Sequence, residues 1–280
     1  DQLIERMKAE GTASPADILL TTDVARLHKA RTDGLLQPAR SATLERNVPA
    51  RYRDPQGYWF GLSARARVLF YAKDRVKPAD LSTYEDLVDP KWKGRLCVRS
   101  SSSVYNQSLL AGIIAVSGPD KAEAWAKGIV ANMARKPQGG DRDQIAAVAA
   151  GQCDIAIANT YYYAGMITSE KAEDRDAAAK VGLFWPNQHG RGAHINISGA
   201  GLTASAKHKA EAVKLLEFLS SPAAQKIYAE TNHEFPVLDG AAPSALVAGW
   251  GAFKPESIPV AMLGENNPQA IKLFDRAGWR

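Results

Sequence analysis

Short apolar runs that alternate with helical stretches constrain this chain more than any other feature. Leu96-Cys97-Val98 is one such run, and helical patterns come after it at about 106–116, 121–133 and 141–150. The next apolar run, Ile155-Ala156-Ile157-Ala158, closes that stretch. In the second of these helices Ala122, Trp125 and Ile129 fall on one face, the spacing of a helix buried on one side. Ile18-Leu19-Leu20 and Gly182 to Trp185 have the same short, continuous apolar character. Strand alternating with helix at this rhythm predicts a parallel or mixed α/β sheet. With 280 residues, length alone suggests about two domains.

Other segments read more locally. Residues 1–10 predict a helix stopped by Gly11, and 23–30 a second. Trp59-Phe60-Gly61-Leu62 and Val68-Leu69-Phe70-Tyr71 predict two strands with Arg65 and Arg67 between them. Residues 83–87 predict a short helix before the turn cluster Asp89 to Gly94. A long helix begins near Ala206, is kinked or restarted at Pro222, and the last helix covers about 269–277.

Composition excludes several functions. No run approaches the 18 or so apolar residues needed to span a membrane, and no basic segment followed by an apolar one marks a signal peptide. The 35 Lys and Arg are interspersed with 30 Asp and Glu, a net charge of +5. That mixed surface argues against nucleic-acid binding and suits an anionic ligand only weakly. Two cysteines, Cys97 and Cys153, are too few for a zinc framework. If their strands are neighbours a disulfide is possible, as in an oxidising compartment; two buried thiols are the other reading.

Tyr161-Tyr162-Tyr163 come directly after Asn159-Thr160 at the end of an apolar run. A parallel strand in an open α/β sheet delivers the residues after it to the ligand crevice. A phenol, with a pKa of about 10, is neutral at ordinary pH. A bound cation reverses that by stabilising the phenolate. Oxygen donors of high charge density suit a hard trivalent metal, whereas a soft one calls for thiolates. The competing reading is aromatic filling of a core or surface pocket, since strands are rich in aromatics.

Two further constellations carry double readings. Ser100 to Ser103 precede a helix with Tyr105 in its first turn, which is either an anion cradle or a plain cap and linker. Arg65 and Arg67 would share one side of a strand, either as a guanidinium fork for an oxyanion such as carbonate or as solvated edge residues. His28, His189, His194, His208 and His233 match no zinc spacing. The sequence holds no Walker loop, nucleophile elbow or catalytic thiol setting.

Several stretches share one family's order and spacing. They are Ser14-Pro15-Ala16-Asp17, Ser63-Ala64-Arg65-Ala66-Arg67-Val68, Asp89-Pro90-Lys91-Trp92-Lys93-Gly94 and Arg99 through Gln107. Asn159-Thr160-Tyr161-Tyr162-Tyr163, Pro186-Asn187-Gln188, Asn196-Ile197-Ser198-Gly199 and Ala277-Gly278-Trp279 continue the pattern. Over nearly its whole length the chain resembles the periplasmic ferric-ion-binding proteins of bacterial ABC transporters.

That resemblance implies a two-lobed type II periplasmic-binding fold of α/β class, with a hinge and an interlobe cleft for the metal. Lobe one would take 1–64 and 199–255, and lobe two 65–198, with the helices of 256–280 packing on it. Strands through Arg65 to Val68 and Ile195 to Gly199 would act as hinges. By the same resemblance Tyr161 and Tyr162 fall on the family's iron ligands and Tyr105 on a third, with Tyr163 structural. Arg65 falls where relatives contact a synergistic anion, carbonate or similar, and Ser101 would assist it. The implied cargo is Fe(III), handed to an inner-membrane ABC permease by a monomeric periplasmic protein that is not an enzyme. Capture of a polyamine, thiamine or an oxyanion, or a transferase on the same fold, are the alternatives.

Two departures accompany the resemblance. Some relatives place a glutamate ligand after the Pro-Ala-Asp strand, where this chain has Thr22. The family also opens with a strand, a loop carrying His or His-Tyr, and a helix, and the residues here are expected to begin after that unit.

Overall fold

The computed structural model describes residues 2–280. The first helix runs Gln2–Glu10; Asp1, expected to begin it, lies outside the described residues. The described strands are β1 (Ile18–Thr22), β2 (Leu36–Gln37), β3 (Phe60–Ala72), β4 (Leu96–Cys97), β5 (Ile155–Asn159), β6 (Val181–Phe184), β7 (Ile195–Thr203) and β8 (Phe235–Pro236). The chain divides into two compact units. The first runs to Arg65 and adds Asn196–Ser244 and Ile258–Glu265; the second comprises Ala66–Ile195, Ala245–Ser257 and Asn266–Arg280.

In the first unit β1 pairs antiparallel with β7, Ile18 opposite Leu202 and Thr22 opposite Ser198. β2 also pairs with β7, and the start of β3 pairs with β8 at Ser63 and Ala64. Gly199 and Gly201 on β7 answer to close backbone approach. An added Cβ would lie 2.6 Å from the Phe60 carbonyl oxygen at the first and 2.4 Å from that of Tyr58 at the second.

β3 is one strand of 13 residues where sequence suggested two. The intervening arginines read as a polar break, yet both are 1% exposed and hydrogen-bonded, so the extended backbone runs on through them.

In the second unit β4 is parallel to β5, and β5 is antiparallel to the end of β3, Arg67 opposite Asn159 and Tyr71 opposite Ile155. β6 pairs with β3 as well, Leu69 opposite Phe184. This is a mixed sheet, one of the two forms the alternation allowed. Its core gathers Leu69, Leu96, Leu109, Ile113, Trp125, Ile129, Ile157 and Trp279. Gly118, at φ 84°, ends the helix Val104–Ser117, and Pro119 opens the helix Pro119–Asn132 that buries Ala122, Trp125 and Ile129.

Pairing of β4 with β5 brings Cys97 and Cys153 to a Cα separation of 5.9 Å, and the two form a disulfide. Of the two readings left open by sequence, the bridge is the one realised. It closes a loop with a sequence separation of 56, a constraint on the unfolded chain of about 4 kcal/mol in the chain-entropy picture. Urea unfolding with and without a reductant should show a loss of that order. A loss below about 1 kcal/mol would mean that this loop is already restricted in the unfolded state.

Candidate functional site

The tyrosine run is helical. Residues Thr160–Ile167 form a helix directly after β5, so Tyr161 and Tyr162 stand in its first turn. Their rings pack at a centroid distance of 4.3 Å, tilted by 34°. The Tyr161 hydroxyl donates to that of Tyr105 at 3.2 Å. Tyr105 lies in the first turn of the helix Val104–Ser117, as the serine loop before it suggested. Two helices thus present their first-turn phenols to each other within the second unit. Tyr163 faces elsewhere: its hydroxyl meets the carbonyls of Val181 at 2.8 Å and Ala178 at 3.1 Å. Its ring packs on Phe70 at 5.0 Å and Trp250 at 5.8 Å, which makes it a structural residue.

Burial is the main cause that raises the Tyr162 pKa above its ordinary value; the Tyr161 hydrogen bond pulls it down and the Tyr105 phenol pushes it up. Burial also raises Tyr163, with Tyr71 adding to it. Any ion held by Tyr162 has to displace a proton from a site that favours the neutral phenol.

Beneath the phenols lies a buried polar network that no sequence motif announces. The Arg67 guanidinium donates to Asp141 Oδ2 and Asn159 Oδ1, each at 3.0 Å, and to Asn106 Oδ1 at 2.6 Å. Asp141 begins the helix Asp141–Ala149, a position that favours a carboxylate, and its Oδ2 also accepts from the Asn159 backbone N–H at 2.9 Å. Arg99 reaches Asp141 Oδ1 at 3.5 Å. The guanidiniums of Arg99 and Arg67 lie 5.4 and 6.0 Å from the Tyr105 ring centroid. The available signal was positional, since Asn106 is the residue after Tyr105 and Asn159 stands two before Tyr161.

The residues expected to hold an anion lie in different units. Arg65, in the first unit, is buried; it donates to the Ile197 carbonyl and lies 3.8 Å from Glu234 Oε1. Glu234 is further held by the hydroxyl of Ser63 and, at 3.4 Å, by that of Ser198. Neither Arg65 nor Arg67 is a solvated edge residue, because each guanidinium faces a carboxylate. Ser101, in the second unit, is half-buried, and its carbonyl accepts from Gln107 Nε2 at 2.9 Å. Among the described residues no cluster of three or more His, Cys, Asp or Glu could hold a metal.

Residues 13–250 match the family model of bacterial extracellular solute-binding proteins. The chain belongs to that family. Iron uptake protein A1 of Synechocystis sp. is 49% identical over 280 residues, covering 100% of this chain and 78% of its own. A solved structure of Trichodesmium IdiA (FutA) in complex with iron and citrate shares 52% identity at a TM-score of 0.97, covering 100% of this chain and 89% of that one. Apo FutA2 from Synechocystis PCC6803 gives 45% and 0.96, with the same coverage. The family resemblance read from sequence holds, and with it the α/β fold of the type II periplasmic-binding class. Among the described residues no helix is long and apolar enough to cross a membrane.

Proposed function

We propose that this protein binds ferric iron through the phenolates of Tyr105, Tyr161 and Tyr162 and delivers it to an ABC permease of the inner membrane. It is a carrier rather than an enzyme, working as a periplasmic monomer. The observation that carries this reading is the meeting of phenols from two helix starts, the Tyr161 hydroxyl 3.2 Å from that of Tyr105. The names of the relatives support the metal: an iron uptake protein at 49% identity and a neighbour in complex with iron and citrate. The Cys97–Cys153 disulfide supports an oxidising compartment.

Three phenolates neutralise a trivalent ion, so a synergistic anion such as carbonate needs its own cation. Arg65 is that residue in this reading, with Ser101 assisting. Glu234 is 3.8 Å from the Arg65 guanidinium and competes for it, so an anion there has to displace part of an existing ion pair.

Loading should be visible as a phenolate-to-iron charge-transfer colour on addition of Fe(III) to the purified protein. It should also release about three protons per iron, since each ligand must ionise. Affinity therefore rises with pH and falls on acidification. Calorimetry in buffers of different ionisation enthalpy measures the count. Iron uptake with no net proton release would remove the phenols from the site.

A further inference from the structure

We propose that Arg67 is the positioning residue of the phenol cluster, one guanidinium that fixes two helix starts so that their phenols meet. The proposal rests on the iron reading above. Arg67 does not touch the cargo in this scheme; it acts through the residues that flank the ligands. Its Nη2 donates to Asn106, the neighbour of Tyr105, and its Nη1 to Asn159, two residues before Tyr161. Nη2 also reaches the Ile157 carbonyl at 3.2 Å, and Nη1 the Asp141 carboxylate. Asn106 passes the constraint on, since its Nδ2 donates to the carbonyls of Arg99 at 2.9 Å and Ser100 at 3.2 Å. Asn159 is held a second time by its backbone N–H on Asp141.

The hub is itself fixed. The Arg67 backbone lies on β3 opposite Asn159, and its N–H donates to the His194 carbonyl at 3.1 Å. Ligand sets need their donors placed to within about 0.5 Å, and residues that only support the ligands typically change metal affinity by about 10–100-fold. A planar guanidinium can serve acceptors on several sides in one fixed geometry. The compact ammonium of lysine keeps the charge but cannot reproduce the fork. Arginine at this position is explained by the fork and not by charge alone.

The test uses the full chain with Fe(III) supplied against a competing chelator, read by affinity, charge-transfer wavelength and thermal midpoint. Arg67→Lys should bind iron about 10–100-fold more weakly, with a displaced band. Asn106→Ala, which removes one acceptor of the fork, carries the same expectation should the lysine variant not fold. Ile129→Ala truncates a fully buried core residue and supplies the control for lost stability alone. It should lower the midpoint while keeping the wild-type band and affinity. Wild-type affinity and wavelength in Arg67→Lys would overturn the proposal and leave the iron reading standing. Loss of binding in Ile129→Ala matching that in Arg67→Lys would overturn it too, because general destabilisation would then suffice. Absence of the band in the wild type would remove the iron reading itself and the proposal with it.

Discussion

Tyr162→Phe should weaken ferric binding by more than about 100-fold and abolish or shift the charge-transfer band. Loss of a residue that merely supports a ligand typically costs about 10–100-fold, so loss of a charged ligand lies beyond that range. A hundredfold corresponds to about 2.7 kcal/mol. The substitution removes one oxygen and keeps the ring that packs on Tyr161 at 4.3 Å, so the helix Thr160–Ile167 should keep its place. Tyr163→Phe is the internal comparison. It takes the donor from the Val181 and Ala178 carbonyls, which should cost about 1–3 kcal/mol of stability while leaving iron binding intact. A Tyr162→Phe protein with wild-type affinity would remove Tyr162 from the ligand set. Loss of iron binding in a folded Tyr163→Phe protein would mean that Tyr163 belongs among the ligands.

Glu256→Ala should be strongly destabilising to the second unit. The Glu256 side chain is almost wholly buried, paired with Arg191 and within 3.1 Å of His194 Nδ1. Arg191 is held on its other side by Glu85 and stacks over Tyr84 at 5.1 Å. Removing Glu256 leaves Arg191 only its pair with the more exposed Glu85, so the loss should approach the about 3–5 kcal/mol of a broken buried pair. Chemical unfolding measures it; a cost under about 1 kcal/mol would show that water reaches Arg191 freely.

The same carboxylate sets a pH dependence. Burial alone would raise the Glu256 pKa, but the hydrogen bond and charge of His194, with the charge of Arg191, outweigh it and hold it below its ordinary value. A carboxyl depressed in the folded state stabilises the fold above its unfolded pKa, and that stability is lost as pH falls through the folded value. Wild-type stability should therefore fall on acidification below about pH 5, and Glu256→Gln should flatten that slope.

Much of this architecture is legible in residue patterns, and the failures have physical causes. The strands β4 and β5 and the helix Pro119–Asn132 are signalled by apolar runs and by the spacing of Ala122, Trp125 and Ile129. The helix Thr160–Ile167 is not, because threonine and three tyrosines suit a strand as well as a helix. Tertiary bonds decide the matter there: Asn159 is tied to Arg67 and Asp141, which ends the strand and starts the helix. Sequence divides β3 in two because Arg65 and Arg67 look like surface residues until their partners, far away along the chain, are known. Asp141 is 74 residues from Arg67, a separation at which no local pattern signals a bond. Tyr105, Tyr161 and Tyr162 are picked out by a family pattern, and their mutual distance is a property of the folded second unit alone.

Resonance Raman spectroscopy of the Fe(III)-loaded protein, excited within its visible band, tests the central claim most directly. Tyrosinate ring vibrations should be enhanced, should shift when ring-deuterated tyrosine is incorporated, and should vanish when Tyr105, Tyr161 and Tyr162 are all phenylalanine. Stoichiometric iron with no enhanced tyrosinate modes would contradict the account.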